Sequence, residues 1–368
     1  QIYKVAGGAF NLNSPQQLGQ VLFERLGLRG KVRKTGGGAL STAAPELEKL
    51  RDEHPVVVLV LQWRELQKLK TTYIDPFPAL LDKDRRIHTT YNQTGAATGR
   101  LASQDPNLQN IPTRTELGQK FRRAFIAGSG FSLVSFDYTQ LELRIAAHLA
   151  QDTKMIQAFK NGEDIHTRTA AEIFKVSPQK VTKEMRRQAK VLNFGIMYGM
   201  GTLGFARAAG VDRTRARQFI DEYFEEFGGI ASYMDATKRQ AESQGFVTTL
   251  FGRKRLLPDI ASTIPFIRAQ AERMAINHPI QGTEADLIKL AMIRIDAYLR
   301  EHGLSQEARM LLQVHDELVF EIRAQDIHHM AKIIKEIMES VHTLDVPLTV
   351  EVKRGDTWAD VEPLHEKT

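Results

Sequence analysis

Two acidic positions stand where acids are costly. Asp137 closes the apolar run FSLVSFDY (131–138), and Asp316 with Glu317 interrupts LQVHDELVFE (312–321). A carboxylate set in apolar, β-rich sequence is tolerated when it is paired or binds a cation. Each acid taken alone could salt-bridge an arginine or cap a turn. Together they point to phosphoryl transfer, in which two or three carboxylates converge on divalent ions about 3.5–4 Å apart, one activating the attacking oxygen and one neutralising the leaving group. Mg2+ suits that task because it accepts a few carboxylates and completes its octahedron with water and phosphate oxygens. The two aspartates lie 179 positions apart (316 − 137), so only the fold can bring them together.

A second constellation lies between them. Thr182 reads as the N-cap of a helix that runs to Tyr198, where Gly199 and Gly201 stop it. Arg186, Lys190, Phe194 and Tyr198 recur every four residues along it. Each step turns by about 40°, so the four form a gently winding stripe on one face. Such a stripe can be an ordinary amphipathic face with snorkelling cations and a core aromatic pair. Its chemistry is graded, however, with cations at one end and rings at the other, which is the polarity of a deoxynucleotide with its triphosphate, sugar and base.

The elements that must position these groups follow from pattern. The first 75 residues carry helical signals: Asn13-Ser14-Pro15 caps QQLGQVLFERLG, Gly27 closes it, and a glycine-rich turn spans 34–41. Thr42–Leu50 and about Pro55–Lys70 read as two more helices, with the β-branched run at 56–60 leaving a strand as the alternative. Residues 85–135 read as short extended segments and turns punctuated by Gly95, Gly99, Pro106 and Pro112. From about 142 to 243 the period is helical, broken at 162, 177–178, 199–204 and 228–229. Mixed texture then resumes, with a hairpin-like segment at 310–322, a helix over 325–342 and a strand at 347–353. A strand-rich region interrupted by a hundred helical residues and then resumed implies a helical subdomain inserted into a sheet built from both flanks.

The chain has 368 residues, 42% hydrophobic and 26% charged, the balance of a globular protein with two or three packed units. A net charge of +6 favours an anionic partner. With no cysteine, disulfides and thiolate metal sites are excluded, and the eleven histidines show no zinc-type spacing, so any metal is hard and oxygen-bound. The longest aliphatic run, Val56–Leu61, falls far short of the roughly 20 residues that span a bilayer. The start shows no signal-peptide pattern, and without Met it opens as a fragment of something longer would.

DYTQLELRIAAH (137–148), RRQAKVLNFGIMYG (186–199) and LQVHDELVFE (312–321) resemble motifs A, B and C of family A (DNA polymerase I-like) DNA polymerases, in that order. GRLASQDPNLQNIP (99–112), GFVTTLFGRKRLLPDI (245–260) and NHPIQGTEAD (277–286) stand where the family has similar segments. The resemblance implies an α+β right-hand polymerase with an antiparallel-sheet palm, a helical fingers insertion and a partial helical thumb. The expected domains are thumb remainder and connection at 1–80, palm at 81–145, fingers at 146–265 and palm again at 266–368.

It also implies roles. Asp137 and Asp316, with the Tyr138 carbonyl and Glu317 as lesser ligands, would hold two Mg2+ ions, for which Mn2+ can substitute. Arg186, Lys190, Phe194, Tyr198, His166, Gln140 and Arg114 would contact or support the nucleotide, with Lys190 protonating the departing pyrophosphate. A lone helix histidine such as His166 is otherwise usually a surface residue. Glu142 would be the gate against a ribose 2′-hydroxyl, its alternative being a salt bridge to Arg144. Phe194, lacking a hydroxyl, implies poor use of dideoxy analogues. Arg100, Gln281, Asn277, Arg273 and His315 would bind DNA near the primer end, where sequence-independent contacts go to phosphates and shared minor-groove acceptors. Each of these could instead be a satisfied structural group. Lys34, Arg122, Arg123, Arg253, Lys254 and Arg255 are candidate phosphate contacts or simply solvated charges.

The implied partners are primer-template DNA and deoxynucleoside triphosphates, bound by a monomer with no membrane contact that is cytoplasmic and nucleoid-associated in a bacterial setting, with an organellar or viral origin as the alternative. The expected activity is template-directed DNA synthesis without a proofreading exonuclease. Two alternatives stand beside it: a two-metal nuclease, and a catalytically weak DNA- or nucleotide-binding fragment whose truncated thumb grips the duplex poorly.

Overall fold

The computed structural model describes residues 1–113 and 115–365, and the chain divides into two compact units, Gln1–His88 and Thr89–Thr368. In the first unit the Ser14 hydroxyl accepts the Gln17 N–H at 3.3 Å, opening the helix Pro15–Gly19, which continues as a wider turn through Arg25. The apolar run at 56–60 is helical, inside Pro55–Leu69. Pro55 presets the first turn, His54 Nδ1 accepts the Val56 N–H at 3.2 Å, and Val56, Val57 and Val60 are buried against Leu18, Leu47 and Leu50. That spacing falls on one face of a helix and on both faces of a strand, so tertiary burial decides against β propensity. The expected helix Thr42–Leu50 is shorter, Ala44–Leu47 followed by one tight turn to Leu50.

The second unit is built on an antiparallel sheet. Its strands are β1 (Phe131–Tyr138), β2 (Ala308–Val314), β3 (Glu317–Arg323), β4 (Val350–Gly355) and β5 (Glu362–Pro363). Among the described residues they lie in the order β2-β3-β1-β4-β5. Central β1 is apolar on both faces because Leu133, Val134 and Phe136 are all buried, Phe136 meeting Phe320 of β3 edge-on at 5.4 Å. The strand expected at 347–353 begins later, at Val350.

Between β1 and the rest of the sheet come helices that include α1 (Leu141–Ala150), α2 (Ile165–Phe174) and α3 (Lys183–Met197). The mixed texture expected after 245 is corrected. A small hairpin pairs Phe246–Thr248 with Lys254–Leu256, and then α4 (Pro265–Glu301) runs for 37 residues through Pro279. Its burial explains its persistence: Ala271, Ala275, Ile280, Leu287, Ala291 and Ile295 are all covered, and that apolar contact offsets the hydrogen bond lost at the proline. Helix α5 (Ile327–Glu339) packs on β1 and β4. No helix among the described residues is long and apolar enough to cross a membrane.

Candidate active site

The β2–β3 hairpin supplies the second aspartate. Val314 pairs with Glu317, leaving His315 and Asp316 as a two-residue turn. His315 sits at φ 54, a left-handed conformation that costs a non-glycine residue about 1–2 kcal/mol. The Tyr138 N–H donates to the Asp316 carbonyl at 3.2 Å, fastening this turn to the end of β1. Asp137 and Asp316 thereby come together, lining one cavity of about 420 Å³ with Gln109, Arg122 and Trp358. Burial pushes Asp137 up to about 7, and the charges of Asp316 and Glu317 push the same way. Burial likewise raises Asp316, against the pull of its own backbone N–H. Lys353, the cation that opposes this on Asp137, is itself tied to Glu351 at 2.8 Å. Two largely buried acids that repel one another fit a divalent cation better than any internal partner they have.

The rest of the expected ligand set is narrower. The Tyr138 hydroxyl turns into the core and donates to the Met338 carbonyl at 2.8 Å, so the tyrosine can offer only its main chain. Glu317 stands across the strand pair from Asp137 but accepts the Ser135 hydroxyl. Among the described residues no three His, Cys, Asp or Glu side chains form a metal-sized group. Glu317 is thus engaged by the Ser135 hydroxyl beside the aspartate pair.

The raised pKa of Asp137 has a stability consequence. Its folded value lies above the ordinary carboxylate value, so the metal-free fold binds that proton more tightly than the unfolded chain does. This stabilisation is fully present below about pH 4 and is lost as pH rises through about 7. Asp137→Asn is therefore expected to stabilise the metal-free protein near pH 8 by about 2 kcal/mol, roughly 3 °C in Tm, and to do little near pH 4. Thermal unfolding in EDTA checks this, and an equal or lower Tm at the higher pH would contradict it.

Helix α3 begins as its sequence implies. The Thr182 hydroxyl accepts the Met185 N–H at 3.2 Å, and the helix ends at Tyr198 and Gly199, with φ 65. A Cβ at Gly199 would lie 2.6 Å from Arg273 Cγ of α4, so glycine is needed for both its conformation and its space. Ala189, Leu192 and Ile196 are buried, leaving the stripe outward. Phe194 and Tyr198 lie nearly parallel, 6.5 Å between centroids and 16° apart. Arg186 grips Asp164 with two bonds of 3.1 and 2.7 Å; although burial opposes it, this pairing holds Asp164 down at about 2. Lys190 is exposed, with no hydrogen-bond or ion-pair partner among the described residues.

His166 is no surface residue. It is 2% exposed on α2, its Nδ1 lies 3.0 Å from the buried Asn193 amide, and its ring is 5.7 Å from Phe194. Burial lowers it to about 4, so it is neutral at pH 7. Gln140, at φ 54, turns the chain from β1 into α1, and its carbonyl accepts the Arg144 N–H at 3.1 Å. The Arg144 guanidinium instead donates to the Thr139 and Pro347 carbonyls at 2.8 and 2.6 Å. The alternative Glu142–Arg144 bridge is therefore absent. One Glu142 oxygen accepts the Tyr198 hydroxyl, and the other lies 2.7 Å from Arg100 Nη2. That same nitrogen reaches Glu284 of α4 at 2.5 Å.

Arg273, Asn277 and Gln281 follow one another at four-residue spacing on α4, each half-buried. The Asn277 side-chain oxygen is buried without a partner among the described residues, and His315 is exposed at its turn. Arg114 lies outside the described residues. Three expected phosphate contacts are otherwise engaged. Arg253 clamps Asp286 at 2.6 Å, Arg123 meets Asp360 at 3.1 Å, and Arg122 is buried 4.0 Å over the Trp358 ring. The sequence reading gave Glu284 no part. The signal was available, since an acid inside PIQGTEADLI is as costly as Asp137 in its strand.

A DNA polymerase I, thermostable, from Thermus thermophilus is 50% identical over 361 residues, covering 97% of this chain and 43% of the relative. DNA polymerase I of Pseudomonas aeruginosa is 47% identical over 360 residues (97% and 39%), and that of Bacillus subtilis 47% over 364 (98% and 41%). The chain thus spans about two-fifths of the length of these relatives. A solved structure, the POL domain of Pol1 from M. smegmatis in complex with DNA primer-template and dNTP, superposes with a TM-score of 0.91 at 42% identity, covering 97% of this chain and 63% of that one. The model of DNA polymerase family A matches residues 1–360, and the chain belongs to that family.

Proposed function

We propose that this chain extends a primer 3′-hydroxyl with deoxynucleotides chosen by a template, releasing pyrophosphate. The observation that carries this reading is the aspartate pair on one cavity combined with the graded Arg186–Tyr198 stripe, whose Tyr198 end is bonded to Glu142 on the helix that follows Asp137. A nuclease would need the acids and leave the stripe unexplained. Mg2+ or Mn2+ held by Asp137, Asp316 and the Tyr138 carbonyl would activate the primer hydroxyl and neutralise charge on the phosphates.

The chain's own groups do the rest. Arg186 exchanges Asp164 for triphosphate oxygens, and Lys190, without a partner among the described residues, donates a proton to the leaving pyrophosphate. Neutral His166 offers hydrogen bonding there without a competing charge. Phe194 and Tyr198 present a flat apolar surface to base and sugar, Gln140 sets the turn that aims Glu142, and Glu142 fills the 2′ side of the sugar. Arg100, Gln281, Asn277, Arg273 and His315 contact the duplex near the primer end. The partners are primer-template DNA and deoxynucleoside triphosphates, the active species is a monomer, and no 3′-to-5′ exonuclease is expected of it.

Primer extension with Mg2+ and four deoxynucleotides tests the reading. Template-copied products are expected, whereas an unextended or shortened primer would overturn it. Because Arg122, Arg123 and Arg253 are internally engaged, fewer cations face DNA than the sequence offers. With about five phosphates neutralised, affinity for primer-template is expected to fall roughly five-hundred-fold between about 50 and 200 mM salt. A binding titration that is flat across that range would remove the electrostatic part of the proposal.

A further inference from the structure

Glu284 is a carboxylate placed where stability does not require one. Its side chain is 4% exposed, between buried Thr283 and Ala285 on α4, and lies three positions beyond Gln281. Its partner is Arg100 Nη2, which it shares with Glu142; Glu142 in turn takes the Tyr198 hydroxyl. A buried ion pair of this kind is often no more stabilising than apolar residues of the same volume, so holding the fold together is a weak account of it. What it does fix is direction. Nη2 carries two protons, and the two carboxylates take both, leaving Nη1 and Nε for other acceptors. Nε is buried and has no partner among the described residues. A guanidinium pinned at one nitrogen by two acids from different helices cannot turn freely about its plane. The contacts also form a continuous path from α4, which carries Asn277 and Gln281, through Arg100 and Glu142 to the end of α3.

We propose that Glu284 is a positioning residue that aims the Arg100 guanidinium at the primer-terminal base pair and links that pair to the nucleotide gate at Glu142. The proposal rests on the reading of Arg100 as a minor-groove contact in a DNA-synthesising enzyme. Its consequence is that Glu284, without touching DNA or nucleotide, sets how strictly a mispaired primer end is refused. A mispair shifts the minor-groove acceptors, and a fixed donor senses that shift where a mobile one follows it.

The test compares kcat/KM for adding one correct nucleotide to matched and to mispaired primer ends. Glu284→Met keeps the volume and removes the acceptor, and Glu284→Gln keeps an acceptor for Arg100. The matched-to-mispaired ratio is expected to fall about tenfold in Glu284→Met, the worth of one charge-assisted hydrogen bond, and to recover most of that in Glu284→Gln. Arg100→Ala is expected to lower the ratio at least as far, and adding Glu284→Met to it to lower it no further. A wild-type ratio in Glu284→Met, whatever its Tm, would overturn the proposal, as would independent multiplication of the two effects. Wild-type protein that extends no primer would overturn the synthesis reading itself. Wild-type extension with an unchanged ratio in Arg100→Ala would instead remove the role of Arg100, and with it that of Glu284.

Discussion

Asp137→Ala and Asp316→Ala are each expected to cut the rate of primer extension by at least about a thousandfold, the factor that corresponds to some 4 kcal/mol of lost transition-state stabilisation. The loss should appear in kcat, because the nucleotide-binding groups on α3, with Glu142 and His166, remain intact. Two opposing effects make the result diagnostic. Removing a buried side chain usually destabilises a fold, but both acids are raised by burial, and Asp137 also by the charge of Asp316, so their removal relieves an unfavourable charge. A variant that is folded, at least as stable without metal, and inactive cannot have lost activity by unfolding. Glu317→Gln supplies the contrast. Its carboxylate already accepts the Ser135 hydroxyl, so its loss should cost less than about tenfold. Extension by Asp137→Ala or Asp316→Ala within tenfold of wild type would remove the aspartate pair from the chemistry.

What could be read from the sequence here divides along physical lines. Local signals held: Thr182 caps α3, Gly199 ends it, and β1 delivers Asp137 at its tip, because caps, left-handed glycines and apolar strands act within a few residues. The meeting of Asp137 and Asp316 was legible as a need and not as a geometry, since it depends on the pairing of β1 with β3, strands far apart in sequence, which sets Asp137 opposite Glu317. Helix α4 was missed because Pro279 and Gly282 speak locally against a helix. Gly282 is there because a Cβ would meet Thr249 at 2.4 Å, which is tertiary information. Arg253 and Arg122 looked like phosphate ligands because a sequence does not show that Asp286 or Trp358 will face them. The Glu142–Arg144 bridge, by contrast, could have been rejected at once, since residues two apart on a helix point to different sides.

That same observation makes Glu142→Ala the sharper test of specificity. The Glu142 side chain is 11% exposed and held at both ends, by Arg100 at one oxygen and the Tyr198 hydroxyl at the other, so it cannot swing aside for a larger sugar. Admitting a ribose 2′-hydroxyl would require breaking at least one charge-assisted bond and burying a new hydroxyl, together about 3 kcal/mol, or roughly a hundredfold in efficiency. Glu142→Ala opens that space, and ribonucleotide incorporation relative to deoxynucleotide is expected to rise by about that factor. Deoxynucleotide synthesis should fall much less, because Arg100 keeps its bond to Glu284 when Glu142 is gone. Tyr198→Phe removes one of the two tethers and leaves the carboxylate in place, so its sugar discrimination should lie between the two. Competition assays with paired ribo- and deoxynucleotides read the ratio directly. If Glu142→Ala selected sugars as strictly as wild type, the barrier would lie elsewhere, and the clamp between Arg100 and Tyr198 would be a fastening of the site with no part in choosing its substrate.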